Sequence, residues 1–359
     1  MFWFQQGAFL EKLGICHKYS FLRVMYDAIP TMKDSKLIIK DLVFNGVPVR
    51  VYWPKTSPAG NRRGIIYLHG GAALIGSIRV YEKVCRSIAH QSDSVVMSVG
   101  FRLAPKHPYP VPVLDCLTAA IYFLKNAKEY GVDPNCIAIV GDSSGGTFAA
   151  AVCQELVTRE DLPRLRAQVL IYPFLQTVDF DLPSYQQNQS VPPLFRKRAV
   201  KFGSAYITGK EIRENVDGVI KGAHIPPDLR EKYRKWISAD NIPEEFKARG
   251  YVPKAPAPFS EELYEQHKIG LEAMFSPLLA EDDIIRQLPE TFILTCEYDV
   301  LRDDGLLYKK RLEDNSVPVT HHHLPDAGHA GLSIFGWGPL EFPSSKKCLQ
   351  HVVQFLKVL

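Results

Sequence analysis

One stretch of the sequence joins a strand pattern directly to a helix pattern: Cys136-Ile137-Ala138-Ile139-Val140-Gly141-Asp142-Ser143-Ser144-Gly145-Gly146. Its apolar first half predicts a buried strand, and the small residues that follow, from Thr147 to Val152, predict a helix. Between them, Gly141 to Gly145 fits G-x-S-x-G, a sharp turn that lifts a serine hydroxyl above a sheet. Side chains in place of its two glycines would crowd so tight a turn. The stretch predicts a serine nucleophile, and the alternative is an ordinary Ser/Gly-rich turn.

Two adjacent serines compete for the role of nucleophile. Only Ser143 has a glycine two residues away on both sides, so we predict Ser143. Ser144 is then expected to contribute its backbone N–H rather than its hydroxyl. Asp142, beside them, is expected to anchor the turn.

Composition sets the class of protein. The chain has 359 residues, of which 46% are hydrophobic and 23% charged, as in a soluble globular protein with a sizeable core. Its net charge of +4 comes from 43 basic and 39 acidic residues, which gives no electrostatic reason to expect a nucleic-acid partner. The seven cysteines form no C-x-x-C pair, which argues against a zinc site, so we predict no metal.

The first 35 residues show a helical apolar pattern. Phe9, Leu10 and Leu13, and later Leu22 and Met25, recur at roughly helical spacing. This segment either lies on a membrane surface or packs over the core, and we favour packing. No apolar run approaches the ~18 residues of a membrane-spanning helix, and we expect no signal peptide because a basic start and a cleavage site are missing.

Strand and helix patterns alternate through the rest of the chain. Asn45-Gly46 is a strong signal for a type I′ hairpin. Alternation after a hairpin predicts an α/β fold, with a mostly parallel central sheet flanked by helices. The predicted strands are 37–44, 47–53, 64–68, 95–99, the run before Ser143, 168–172, 291–295 and a weaker last strand at 317–323. The predicted helices are 80–90, 112–130, 147–158, 305–314 and 344–359.

One long gap interrupts this rhythm, from Thr177 to Pro289. It is rich in prolines, charges and aromatic residues, and so long a structureless loop inside a compact domain is improbable. We interpret it as a largely helical cap over one end of the sheet. The predicted organisation is therefore N-terminal cap helices at 1–35, a first core part at 36–176, the cap at 177–289 and a second core part at 290–359.

A serine nucleophile needs a base and an acid that orients the base. In this strand order the acid follows a later strand and the histidine comes last. We predict Asp299 as the acid, because it stands where the strand 291–295 should end, and His329 as the base, in a Gly-flanked loop after the last strand. Asp303 and Asp304 are expected to cap a helix. Asp115 precedes the nucleophile and is expected to fix a helix, while His321-His322-His323 is expected to be structural on its strand.

The developing oxyanion needs hydrogen-bond donors. His69-Gly70-Gly71-Ala72 follows the strand 64–68, where glycines leave backbone N–H groups unobstructed. We predict an oxyanion hole made by the N–H groups of Gly71, Ala72 and Ser144, with Gly70 as a further candidate. His69 is expected to orient that loop rather than to transfer protons.

Four motifs in order now resemble the signature set of the hormone-sensitive-lipase family of α/β-hydrolases. The motifs are His69-Gly70-Gly71, Phe101-Arg102-Leu103-Ala104-Pro105-Lys106-His107-Pro108-Tyr109-Pro110, Gly141-Asp142-Ser143-Ser144-Gly145-Gly146 and Glu297-Tyr298-Asp299-Val300-Leu301-Arg302-Asp303-Asp304-Gly305. Three further stretches resemble the arylacetamide deacetylase-like proteins, at 162–173, at 183–189 and at 11–16. Two departures are Ala72, where the family often has a third glycine, and Gly331, where a bulky residue is frequent.

The resemblance implies an α/β-hydrolase fold with a helical cap, and hydrolysis of lipophilic acyl esters without a cofactor. Two alternatives stay open: an amidase or deacetylase with the same triad, and a catalytically silent ligand-binding protein on the same fold. The relatives commonly carry an N-terminal anchor in the endoplasmic reticulum membrane. This chain begins downstream of that anchor, which leaves its location open. Asn188-Gln189-Ser190 is a glycosylation sequon, relevant only in the lumen.

Overall fold

The computed structural model describes residues 2–28, 34–56, 61–212, 214–338 and 341–359. Within them a single eight-stranded sheet forms the centre of the molecule, with the strand order β1-β2-β4-β3-β5-β6-β7-β8. The strands are β1 (Leu37–Phe44), β2 (Val47–Pro54), β3 (Arg62–Leu68), β4 (Val95–Val99), β5 (Val132–Asp142), β6 (Ala167–Ile171), β7 (Glu290–Tyr298) and β8 (Val319–Gly328). β1 and β2 pair antiparallel, β2 pairs antiparallel with β4, and all other pairs are parallel.

Every predicted strand is present. Asn45 and Gly46 both have positive φ, at 48° and 88°, which is the backbone that a type I′ hairpin requires. The last strand differs most from its prediction, since it begins at Val319 and continues to Gly328 rather than ending near residue 323. Parallel pairing with β7 resumes at Tyr298 and Gly328 after an irregularity, and this carries the chain on toward His329.

Helices cover both faces of the sheet. α3 and α13 pack on one face, and α4, α5 and α12 pack on the other. Strands β4 and β6 are buried along their whole length, as expected for the middle of a parallel sheet. The α-helices are α1 (Phe2–Lys12), α2 (Lys18–Asp27), α3 (Glu82–Ser92), α4 (Val111–Lys125), α5 (Ser144–Leu156), α6 (Pro183–Gln187), α7 (Arg196–Thr208), α8 (Val216–Ile220), α9 (Pro227–Arg234), α10 (Glu261–His267), α11 (Asp282–Ile285), α12 (Arg302–Asp314) and α13 (Pro343–Val358).

Residues 177–289 contain only helical elements within the described part of the chain, namely α6 to α11 and several short 3₁₀ turns. The N-terminal segment forms two helices, α1 and α2, separated by residues 13–17. α2 packs on the core through Tyr19 and Leu22, whereas Phe9 and Leu13 are more than half exposed. None of the described helices is both long and apolar enough to cross a membrane.

Candidate active site

The turn after β5 has the strained geometry that the G-x-S-x-G pattern predicts. Ser143 lies between β5 and α5 with φ 55° and ψ −123°, a conformation that costs on the order of 1–3 kcal/mol in a non-glycine residue. A Cβ atom on Gly141 would lie 2.1 Å from the Gly145 carbonyl oxygen, and one on Gly145 would lie 2.1 Å from that of Leu68. Both glycines are therefore required by close backbone approach.

Three distant residues meet at the carboxyl edge of the sheet. The Ser143 Oγ lies 2.9 Å from His329 Nε2, and His329 Nδ1 lies 2.7 Å from Asp299 Oδ2. Asp299 directly follows β7 and is 1% exposed, and its second oxygen accepts a hydrogen bond from the Leu301 N–H at 2.9 Å. The structure thus brings together the nucleophile, base and acid predicted from the sequence, joined by two hydrogen bonds.

Tyr172 packs against the loop that carries His329. It follows β6, and its ring meets the His329 imidazole edge-on with centroids 5.1 Å apart. The Tyr172 hydroxyl accepts a hydrogen bond from the Leu332 N–H at 3.1 Å. Sequence reasoning missed this residue, because the predicted strand 168–172 included Tyr172 whereas β6 ends at Ile171.

The predicted oxyanion donors divide into two groups. The Gly70 N–H donates to Asp142 Oδ1 at 2.9 Å, so the prediction that Gly70 is an oxyanion donor is wrong. Within the described residues, the N–H groups of Gly71, Ala72 and Ser144 have no hydrogen-bond acceptor, and all three residues line the same cavity as Ser143. The Ser144 hydroxyl accepts a hydrogen bond from the Ala73 N–H at 3.3 Å. This contact joins the loop 69–73, called the glycine loop below, to the start of α5.

Asp142 anchors the site, as expected. Its carboxylate accepts hydrogen bonds from the Tyr67 and Tyr81 hydroxyls, at 3.0 and 2.9 Å, as well as from Gly70. Burial raises the pKa of Asp142 to about 6, while these hydrogen bonds oppose the rise. One carboxyl group therefore joins β3, β5, the glycine loop and the residue before α3.

His69 orients the glycine loop and is not positioned as a base. Its Nδ1 lies 2.8 Å from the Gly70 carbonyl oxygen, and its ring stacks on Phe101 with centroids 4.2 Å apart. Burial lowers the pKa of His69 to about 4, which keeps the imidazole neutral. This agrees with the expectation from the sequence.

Asp303 and Asp304 differ from their predicted role. They lie in the first turn of α12, but no side chain caps that helix. Both carboxylates instead accept hydrogen bonds from other segments. Asp303 accepts one from the Ser184 N–H at 2.6 Å, and Asp304 accepts one from the Leu175 N–H at 2.9 Å. Burial raises the pKa of Asp304 to about 8. The pair fixes the two ends of the segment that leaves β6 for α6.

The remaining candidates are structural. Asp115 accepts hydrogen bonds from the backbone N–H and the guanidinium of Arg102, so it joins α4 to the loop after β4. His321 and His323 both lie within 3.0 Å of the Thr295 hydroxyl on β7. These side-chain contacts therefore join β8 to β7.

The sequon prediction does not fit the folded chain. Asn188 is fully buried, and its side-chain amide donates to the carbonyl oxygens of Glu297 and Asp299, at 3.0 and 2.9 Å. A glycan on this nitrogen would require both hydrogen bonds to break, so the prediction of Asn188 as a glycosylation site is wrong. Its contact with the turn that carries Asp299 was not visible in the sequence.

A cavity of about 340 Å³ opens onto Ser143 and His329. The core supplies part of its wall. A second part comes from α7, which belongs to the segment 177–289, called the insertion below. Residues of α1 and α2 line the remaining side. Its lining is mostly apolar and includes Trp3, Leu22, Phe148, Phe174, Phe202 and Phe275. The site can therefore hold an apolar group of substantial size against the serine.

Comparison with known proteins shows the family of the chain. A family model described as the alpha/beta hydrolase fold matches residues 65–229 and 238–333. Arylacetamide deacetylase-like 3 of Homo sapiens is 47% identical over 98% of this chain and 86% of its own length. Arylacetamide deacetylase of Bos taurus is 42% identical over 91% of this chain and 83% of its own length.

A solved structure shares the fold. Carboxyl esterase 2 from Tuber melanosporum superimposes with a TM-score of 0.67 at 22% identity, covering 92% of this chain and 89% of the esterase. The family model and the sequence relatives show the family, and the superposition shows the same fold. The chain is a hydrolase and belongs to the α/β-hydrolase family, among the arylacetamide deacetylase-like proteins.

Proposed function

We propose that this hydrolase cleaves lipophilic carboxylic esters through an acyl-enzyme on Ser143. The observation that carries the proposal is the unbroken hydrogen-bonded line from the Ser143 hydroxyl through His329 to Asp299, at the mouth of an apolar cavity. This arrangement is the one that activates a serine for acyl transfer.

The chemistry follows from the positions of the three groups. His329 Nε2 accepts the Ser143 proton as Oγ attacks the ester carbonyl carbon, and Asp299 stabilises the resulting imidazolium. The oxyanion receives hydrogen bonds from the N–H groups of Gly71, Ala72 and Ser144. The C–O bond then breaks and the imidazolium protonates the leaving alkoxide. Water, deprotonated by His329, attacks the acyl group, releases the acid and restores Ser143.

The preference for lipophilic substrates rests on the cavity wall. Apolar side chains from the core, from α7 and from the N-terminal helices surround the space beside Ser143. Each CH₂ group buried there contributes about 0.8 kcal/mol, so an acyl chain gains affinity as it fills the cavity.

A serine-directed probe and a pair of alanine variants test the proposal. We expect a fluorophosphonate to label the wild-type chain at Ser143, and Ser143→Ala to lose both labelling and ester turnover. Ser144→Ala should keep most of the turnover, because its backbone N–H is retained and only the 3.3 Å contact with Ala73 is lost. Loss of turnover in Ser144→Ala but not in Ser143→Ala would contradict the assignment. A folded chain without labelling would favour the silent ligand-binding alternative.

Hydrolysis of aryl amides is the second candidate, because several of the relatives are named arylacetamide deacetylases. The same triad would serve, with the imidazolium protonating the leaving amine. Turnover of 4-nitroacetanilide beside 4-nitrophenyl acetate separates the two, since these substrates differ only in the leaving atom.

We further propose that the N-terminal helices associate with a membrane surface. The support is a group of exposed apolar side chains at the end of α1 and in the following turn, with Phe9 61% and Ile15 64% exposed. Flotation with phosphatidylcholine vesicles tests this, with Phe9→Ser/Ile15→Ser as the variant that should no longer float. The endoplasmic reticulum location expected from the resemblance stays a prediction.

A further inference from the structure

The turn that carries Asp299 is held by side chains of the insertion rather than by the sheet. Sheet pairing ends at Tyr298, and α12 begins only at Arg302. Asn188, directly after α6, donates its amide hydrogens to the Glu297 and Asp299 carbonyl oxygens. Ser184 in α6 donates its hydroxyl to the Val300 carbonyl oxygen at 2.6 Å. Two insertion side chains therefore bind three of the carbonyl groups between residues 297 and 300.

Arg249 fixes the orientation of the Asn188 amide. Its Nη2 donates to Asn188 Oδ1 and to the Glu297 carbonyl oxygen, both at 3.1 Å, and its Nε donates to the Glu297 carboxylate at 2.7 Å. With Oδ1 occupied by the guanidinium, the Nδ2 atom faces the turn. The buried amide thus has partners for its oxygen and for both of its hydrogens.

The position of this turn decides where the Asp299 carboxylate lies. One carboxylate oxygen contacts His329 at 2.7 Å, and the other accepts from the Leu301 N–H within the same turn. A shift of the turn backbone would therefore move the carboxylate relative to the imidazole. A misplacement of about 1 Å in a catalytic array can cost about 100-fold in rate.

We propose that Asn188, oriented by Arg249, is a positioning residue for the triad acid, so that the seating of the insertion on the core sets the geometry of the Asp299–His329 pair. The inference rests on the proposed esterase function. It assigns the insertion a part in acid placement in addition to its part in the cavity wall.

The main variant is Asn188→Ala, assayed with 4-nitrophenyl butyrate. We expect kcat to fall about 10- to 100-fold with much less change in KM, since the cavity wall is untouched. We also expect the acidic midpoint of the kcat–pH profile to move to lower pH, because a more distant carboxylate stabilises the imidazolium less. A residue that served only the stability of the fold would lower the amount of active enzyme without moving that midpoint.

Two further variants keep the test decisive. Gln186→Ala is the matched control, because Gln186 lies in α6, two residues before Asn188, and its amide bonds among the described residues to the Asp181 and Val252 backbones rather than to the turn of Asp299. It should keep the wild-type kcat and pH profile. Arg249→Gln, at an exposed position, should fold and show a smaller fall in kcat in the same direction, and it decides the matter if Asn188→Ala does not fold.

The inference is overturned if Arg249→Gln keeps the wild-type kcat and pH profile while Asn188→Ala either keeps them too or does not fold. It is also overturned if Gln186→Ala loses as much kcat as a folded Asn188→Ala. These outcomes differ from failure of the esterase proposal itself. In that case the wild-type chain would neither turn over esters nor be labelled by fluorophosphonate.

Discussion

At the residue scale, Asp142 organises the site through its hydrogen bonds to the loop that follows β3. It is fully buried, and its carboxylate joins the Gly70 N–H to two tyrosine hydroxyls. The Gly70 N–H is engaged by this carboxylate, whereas the N–H groups of Gly71 and Ala72 have no acceptor among the described residues. The same residue therefore removes one oxyanion candidate and positions the others.

Replacing Asp142 tests this role directly. We expect Asp142→Ala to lower kcat by about 10- to 100-fold, because the loop that carries Gly71 and Ala72 loses its anchor. Asp142→Asn should retain most activity, since an amide oxygen can still accept from Gly70 while its NH₂ donates to Tyr81. Steady-state kinetics on a soluble ester measure both. Equal kcat in Asp142→Ala and wild type would contradict the anchoring role.

The same carboxyl group predicts a pH dependence of stability. The pKa of Asp142 in the folded chain, about 6, is raised above the ordinary value of 3.8 by burial. The folded state therefore binds the proton more tightly, and stability is lost as pH rises from about 4 through about 6. Relative to Asp142→Asn, the wild type should lose on the order of 2 kcal/mol of unfolding free energy across that range. Urea unfolding of both at pH 4.5 and pH 7 measures the difference, and parallel changes in the two proteins would contradict it.

At the scale of single elements, the approach of α5 to β3 is set by a glycine. A Cβ on Gly145 would lie 2.1 Å from the Leu68 carbonyl oxygen, so Gly145→Ala must push the helix away from the strand. We expect a marked loss of thermal stability and of fluorophosphonate labelling. Gly203→Ala in α7 is the control, since its Cβ would meet open space, and it should stabilise the helix by about 1 kcal/mol. Calorimetry of the two variants decides; similar melting temperatures would contradict the close approach.

α2 is hydrogen-bonded to the chain just after the proposed oxyanion donors Gly71 and Ala72. The Arg23 guanidinium donates to the Leu74 carbonyl oxygen at 2.8 Å and to that of Ala104. Because Tyr19 and Leu22 of the same helix line the cavity, we expect Arg23→Gln to raise KM for long acyl chains more than for acetate. Exposed Lys12, in α1, supplies the control Lys12→Gln, which should leave both KM values unchanged. An equal rise in KM for all chain lengths would contradict this role of α2.

At the scale of the whole molecule, features that depend on neighbouring residues could be predicted from the sequence. Contacts between residues far apart in the chain could not. Ser143, Asp299 and His329 could be found because each occupies a fixed place relative to its own strand, and strand order then places them together. The engagement of Gly70 by Asp142 could not be found, because those residues are 72 positions apart. Asn188 was interpreted as a glycosylation sequon for the same reason: its burial depends on contacts with a turn 111 positions away.

The apolar lining of the cavity predicts which substrates the enzyme prefers. The core, the insertion and the N-terminal helices each contribute apolar side chains to the cavity wall. Burial of one CH₂ group is worth about 0.8 kcal/mol, which corresponds to about a fourfold change. We therefore expect kcat/KM for 4-nitrophenyl esters to rise by up to that factor per added CH₂ of the acyl chain until the cavity is filled. Phe202 of α7 lines the cavity and packs edge-on against Tyr19, with ring centroids 6.2 Å apart. Phe202→Ala should therefore move the optimum toward longer acyl chains, with the acetate rate nearly unchanged. An optimum at acetate in the wild type, or one that Phe202→Ala leaves in place, would show that this cavity does not hold the acyl group.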